Sequence, residues 1–139
     1  MRRLFFSATI LLLMSGCNKS TSSGPSGSLP LANSLIGSWG LVKSDSTAFP
    51  SGTVWIFQDT TLTITMGNVA IGGSFTYDDN PNPKTIDIKL QGATHNPNLA
   101  IYKFDDSSHL ILKLMNGAQN RATTFSVESY YILEEFVKQ

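Results

Sequence analysis

Eight short runs rich in β-branched and aromatic residues follow one another from Leu35 to the end of the chain, each closed by residues that favour turns. Their spacing, roughly 10 to 15 residues, is that of an antiparallel sandwich or barrel. No stretch repeats apolar residues at the period of an amphipathic helix. The pattern predicts strands over residues 37–44, 53–58, 61–66, 70–77, 84–91, 99–104, 109–115 and 129–136.

Alternation assigns the faces. Leu62, Ile64 and Met66 fall on one side of their run and Thr61, Thr63 and Thr65 on the other, one dry and one wet. Ile86, Ile88 and Leu90 against Thr85, Asp87 and Lys89 repeat the pattern, with Asp87 and Lys89 read as solvated charges. Such polar outer faces leave little for a covering helix to bury. Asp59-Thr60, Asp78-Asp79-Asn80-Pro81, Asp105-Asp106-Ser107 and Asn116-Gly117 tolerate left-handed backbone or cap their own chain, and predict hairpin turns.

Ahead of this domain, Arg2 and Arg3 precede eleven residues, Leu4 to Met14, that are apolar except for Ser7 and Thr9. The segment is shorter than the roughly 20 residues that span a bilayer, and reads as a removable signal peptide. Leu13-Met14-Ser15-Gly16-Cys17 resembles the lipobox of bacterial lipoproteins, with Met14 where Leu is commoner. The resemblance implies that residues 1–16 are removed, that the Cys17 thiol carries a diacylglyceryl group and that the new amino terminus is acylated. It places the protein in the bacterial cell envelope. Asn18, standing where Asp would favour inner-membrane retention, points to the outer membrane, facing the periplasm or the surface. One acyl chain holds a protein marginally, whereas several make the tether permanent. Cys17 is the only cysteine, so a disulfide within the domain is excluded. Residues 17–34 then comprise the lipidated cysteine and a Ser/Gly/Pro-rich stalk with a reach of roughly 20 to 25 Å. Residues 35–139 form one domain.

Charge narrows the partners. The chain has ten Lys plus Arg and ten Asp plus Glu, and loss of Arg2 and Arg3 leaves a net charge near −2. That balance offers no footprint for nucleic acid and no basic patch for anionic headgroups. The expected membrane attachment is through the lipid at Cys17 alone.

Catalytic constellations are sparse. His95 and His109 are the two histidines, the second beside Asp105, Asp106, Ser107 and Ser108. Those residues lie within one predicted turn, and read as polar turn filling rather than as a nucleophile with its base. The aspartate clusters lack the ligand spacing, Gly and terminal Glu of a calcium loop, and no zinc or phosphate motif is present. The expectation is a protein that is not an enzyme and holds no cofactor or metal.

Ile36-Gly37-Ser38-Trp39 resembles the Gly-x-Trp signature of lipocalins, in which the Trp closes one end of an up-and-down barrel. Together with Gly73-Ser74-Phe75-Thr76-Tyr77, Pro83-Lys84-Thr85-Ile86-Asp87, Ala100-Ile101-Tyr102 and Arg121 to Phe125, it is similar to a family of small uncharacterised bacterial domains with the pattern G-x-W, G-x-Y, P-K-x-I-D, G-I-Y and R-P-x-x-F. Ala100 and Ala122 depart from that pattern. The resemblance implies an all-β, antiparallel, eight-stranded up-and-down lipocalin-like barrel, and implies no activity. Lipocalins also carry a late cation packed on the Trp, for which Arg121 and Lys138 are both candidates.

A barrel of eight strands is filled by side chains or holds one small ligand. The inward candidates are Trp39, Leu41, one of Trp55 and Phe57, Leu62, Ile64, Met66, Phe75, Tyr77, Ile86, Ile88, Tyr102, Leu110, Leu112 and Tyr130. In a hollow barrel, Trp39, Phe57, Met66, Tyr77, Tyr102 and Leu112 would contact a small apolar ligand. In a filled one they are core, and the protein serves an interaction or structural role, meeting an envelope protein through its Thr/Ser faces or the apolar Ala48-Phe49-Pro50 loop. The leading expectation is the first, a membrane-tethered binding module for a small apolar ligand, with the filled interaction or structural barrel as the alternative.

Overall fold

A computed structural model of the protein describes residues 34–93, 97–116 and 120–139. The signal segment, Cys17, the stalk up to residue 33, and His95 lie outside the described residues. Eight strands follow in order: β1 (Gly37–Ser44), β2 (Val54–Gln58), β3 (Thr61–Met66), β4 (Val69–Asp78), β5 (Lys84–Leu90), β6 (Asn98–Phe104), β7 (His109–Met115) and β8 (Tyr131–Lys138). Each pairs antiparallel with the next, and β1 pairs with β8, so the sheet closes into an up-and-down barrel. The strand cadence left sandwich and barrel open; the all-β, eight-stranded antiparallel barrel that the lipocalin resemblance implied is the observed fold.

Period-2 alternation places the core. Leu62 and Ile64, Ile86 and Ile88, and Leu110, Leu112 and Leu114 point inward and are buried with Trp39, Trp55, Phe57, Phe75, Tyr102 and Phe136. Trp55 and Phe57, expected as alternatives, are two residues apart on one strand and both lie inside. Gly73 lets β4 close tightly on β5: a Cβ there would sit 2.6 Å from the Lys89 carbonyl oxygen. Asp59, at φ 52°, occupies the left-handed position of the β2–β3 turn, as its residue type suggests.

Two expectations fail at the end of the chain. Strand β8 starts at Tyr131, because the backbone before it turns back, with Asn116 N donating to Tyr130 O at 2.8 Å and Tyr131 N to Glu128 O at 3.2 Å. Tyr130 is therefore exposed rather than inward. Nor is the β7–β8 connection a tight Asn-Gly hairpin; it spans residues 116–130, and residues 120–130 lie as a strap on the outer wall. Beneath it Ile101, outward by alternation, is fully buried, and Ala122 is buried on the strap itself.

One mouth of the barrel, here the near mouth, carries the entry at residues 34–36 and the β2–β3, β4–β5 and β6–β7 turns. The far mouth carries the other four connections.

Candidate functional site

Aromatic side chains form a connected series through the interior. Phe49 meets Trp55 edge-on at 5.3 Å between ring centroids, Trp55 meets Phe57 at 6.1 Å and Phe136 at 5.2 Å, and Phe57 meets Phe75 at 5.0 Å. The series continues from Phe75 to Tyr77 (6.0 Å), Tyr102 (6.5 Å), Phe104 (5.8 Å) and Trp39 (5.8 Å). These separations are those of packed aromatic pairs. Of the six proposed ligand contacts, Trp39, Phe57, Tyr77 and Tyr102 belong to this series. Leu112 is buried on the β7 wall, and Met66, at the far-mouth end of β3, packs only partly against the core. Tyr77 shares the inner parity yet is 44% exposed, because β4 carries it to the near rim. Phe49, expected on a free apolar loop, is instead half-buried against Trp55 at the far mouth.

At the near mouth Trp39 Nε1 donates to Leu35 O at 2.8 Å, and Lys138 Nζ lies 5.4 Å from the Trp39 ring centre. Lys138 is thus the late cation on the Trp. Asp79 accepts from both Lys84 Nζ (2.7 Å) and Tyr102 Oη (2.6 Å) on one carboxylate oxygen. Burial pulls the Asp79 carboxyl upward, but those two donors outweigh it and hold it below the usual range. Burial, then the hydrogen bond to Asp79 and its charge, push the Tyr102 phenol well above its ordinary value. Lys84 also sits over the Tyr102 and Phe104 rings, at 5.8 and 5.6 Å. Beside this group a cleft of about 530 Å³ opens between the β4–β5 turn and the strap, lined by Pro83, Lys84, Tyr102, Phe104 and Phe125 among others. No protein family, curated protein or solved structure matches the chain. Its chemistry is read from its own residues.

Asp106, Ser108 and His109 do come together. Asp106 Oδ1 accepts from the Ser108 and His109 backbone nitrogens and the Ser108 hydroxyl at 2.7 to 2.9 Å, and Oδ2 lies 2.7 Å from His109 Nδ1. The Ser108 and His109 hydrogen bonds hold the Asp106 carboxyl at about 2, the Ser108 backbone donor contributing most. Ser108 and Asp106 both approach Nδ1, whereas a relay needs the serine on one ring nitrogen and the acid on the other. Exposed at a hairpin tip, the cluster caps its turn.

Three polar residues have roles that strand alternation alone does not show. Lys113, outward on β7 and 1% exposed, donates to Thr124 O (3.0 Å), Ser126 O (2.5 Å) and Glu128 (2.8 Å). Arg121 donates to the Ile86 and Ala100 carbonyls at 3.1 and 2.6 Å and pairs with Asp87, which is therefore no simple solvated charge. Together they pin the strap to β5, β6 and β7. Glu134 is fully buried on the inner face of β8. Its signal was its place in the inward series of Ile132 and Phe136.

Proposed function

We propose that this chain is a lipid-tethered protein of the bacterial envelope, without catalytic activity, whose barrel is a solid scaffold presenting its outer wall and rims to an envelope protein. The single observation that carries this reading is the unbroken aromatic series. A drug-sized guest needs a space of about 300 Å³ or more, and the interior positions that would line it are occupied by rings packed on one another. The tether rests on Leu13 to Cys17 and on the low net charge, which leaves lipid as the means of attachment. The wall is also inside-out for a membrane-spanning barrel, with Thr61, Thr63 and Thr65 outside and Leu62 and Ile64 within.

Crosslinking in intact envelopes should return a reproducible protein partner, and native mass spectrometry of protein purified from its own host should find no stoichiometric guest. A retained apolar molecule, or no partner, overturns the scaffold reading. Cys17→Ser should release a folded barrel into the soluble fraction; variant protein that stays with the membrane would overturn the tether. The near-mouth cleft favours a second reading, in which a small apolar ligand lies across Tyr102, Phe104 and Phe125 at the rim rather than among the interior residues. Phe125→Ala would then release a ligand that Leu112→Ala retains.

A further inference from the structure

Ser44 and Glu134 face each other across β1 and β8. A bulge between Leu41 and Lys43 brings them together, shifting the alternation so that Lys43 turns outward and Ser44 inward. Ser44 Oγ lies 2.9 Å from each of three neighbours: the Ser46 carbonyl oxygen, the Ser46 backbone nitrogen and Glu134 Oε1. A hydroxyl has one proton and two lone pairs. The Ser46 N–H takes one lone pair. With Glu134 ionised, both remaining neighbours are acceptors and the one hydroxyl proton serves only one of them, leaving two oxygens in contact with no proton between. With Glu134 protonated, its O–H donates to Ser44 Oγ, the Ser44 hydroxyl donates to the Ser46 carbonyl, and all three contacts are satisfied. Glu134 Oε2 agrees, being buried without a partner. That is far less costly for a neutral carbonyl oxygen than for half of a carboxylate.

No cation facing Glu134 offsets its burial among the described residues. On β1, Lys43 turns out to Glu135 at 2.6 Å. On β7, Leu112 stands opposite Glu134, and Lys113 turns out to Glu128. The loop after β1 contributes Asp45, a like charge. Burial first, and then Asp45, raise the Glu134 carboxyl to about 7 against the pull of the Ser44 hydrogen bond.

We propose that Glu134 is a proton-operated latch on the β1–β2 loop: protonated, it fastens that loop over the far mouth, and on losing its proton it lets go. Ionisation draws the Ser44 proton to Oε1, strips the Ser46 carbonyl of its donor and obliges Oε2 to find water. Water enters at the rim that Phe49 now plugs against Trp55. The Trp55 indole N–H, on the ring that Phe49 covers, is likewise buried without an acceptor. Stability follows with a fixed sign. A carboxyl whose folded value lies above its unfolded one stabilises fully below about 4.5 and loses that contribution as pH rises to about 7.

Carbon-13 NMR of the Glu134 carboxyl, recorded with amide exchange at Ser46 corrected for intrinsic base catalysis, tests the latch. Ser46 protection should fall about tenfold, the scale of one lost hydrogen bond, as Glu134 titrates. Glu134→Gln should keep the low-pH protection throughout, because its amide donates to Ser44 Oγ as the carboxylic acid does. A Glu134 that titrates in the ordinary carboxylate range, or a Gln variant with the same pH step, overturns the proposal. Should the Gln variant fail to fold, Ser44→Ala serves: Ser46 should be unprotected at every pH, and a retained pH step refutes the latch.

Discussion

Strands β2 and β3 and the strands β5 to β7 line the same core, yet their outer faces differ. β2 and β3 carry no charged residue, and their outward Val54, Ile56, Gln58, Thr61, Thr63 and Thr65 have no strap over them. β5 to β7 carry Asp87, Lys103 and Lys113 outward, and residues 120–130 cross them, held by Arg121 and Lys113. In the bare half the period-2 rule gives burial directly. In the strapped half it fails, because a residue such as Ile101 faces out of the barrel and is nonetheless fully buried.

The largest test of that contrast is a matched pair of truncations. Ile101→Ala empties a site under the strap and should cost about 2–4 kcal/mol in urea denaturation, as a core position does. Ile56→Ala, on the bare wall at 37% exposure, should cost less than about 1 kcal/mol. Equal costs would dissolve the distinction between the halves.

A smaller and more local effect is expected from Lys113→Met. The replacement has similar length and no charge, and the partner it leaves behind, Glu128, is half exposed and open to water, so global stability should fall by about 1–2 kcal/mol rather than the roughly 3–5 kcal/mol of breaking a fully buried pair. The strap, however, loses three hydrogen bonds. Amide exchange from Ala122 to Glu128 should accelerate while that of β2 and β3 stays unchanged; uniform acceleration would mean that the strap and barrel open as one unit.

What the sequence could reveal divides along the same line. The boundaries of β1, β3 and β7, the turn at Asp59 and the inward set from Trp39 to Leu112 were legible, because each follows from local alternation and turn chemistry. The strap was not, since burial of Ile101 depends on residues twenty or more positions away. Lys113 carried a faint signal as the one cation inside the apolar run Leu110 to Met115. The bulge at Val42, which sets Ser44 against Glu134, left no mark in composition, and with it the buried carboxyl on the inner face of β8 stayed hidden.

The smallest effect, and the sharpest on the bare side, belongs to Thr63→Lys. Thr63 sits at the centre of the threonine row, paired with Ile56 on one side and Gly72 on the other. Its neighbours Thr61 and Thr65 each donate to a backbone carbonyl, at 2.9 and 3.3 Å. A lysine there has room to lay its methylenes over Gly72 and keep its ammonium in water, and the absence of other charges on β2 and β3 leaves no repulsion to overcome. Stability should therefore move by less than about 0.5 kcal/mol. A loss above about 1 kcal/mol would show that this wall, like the other, is buried under part of the chain, and the contrast between the two halves would collapse into a difference of charge alone.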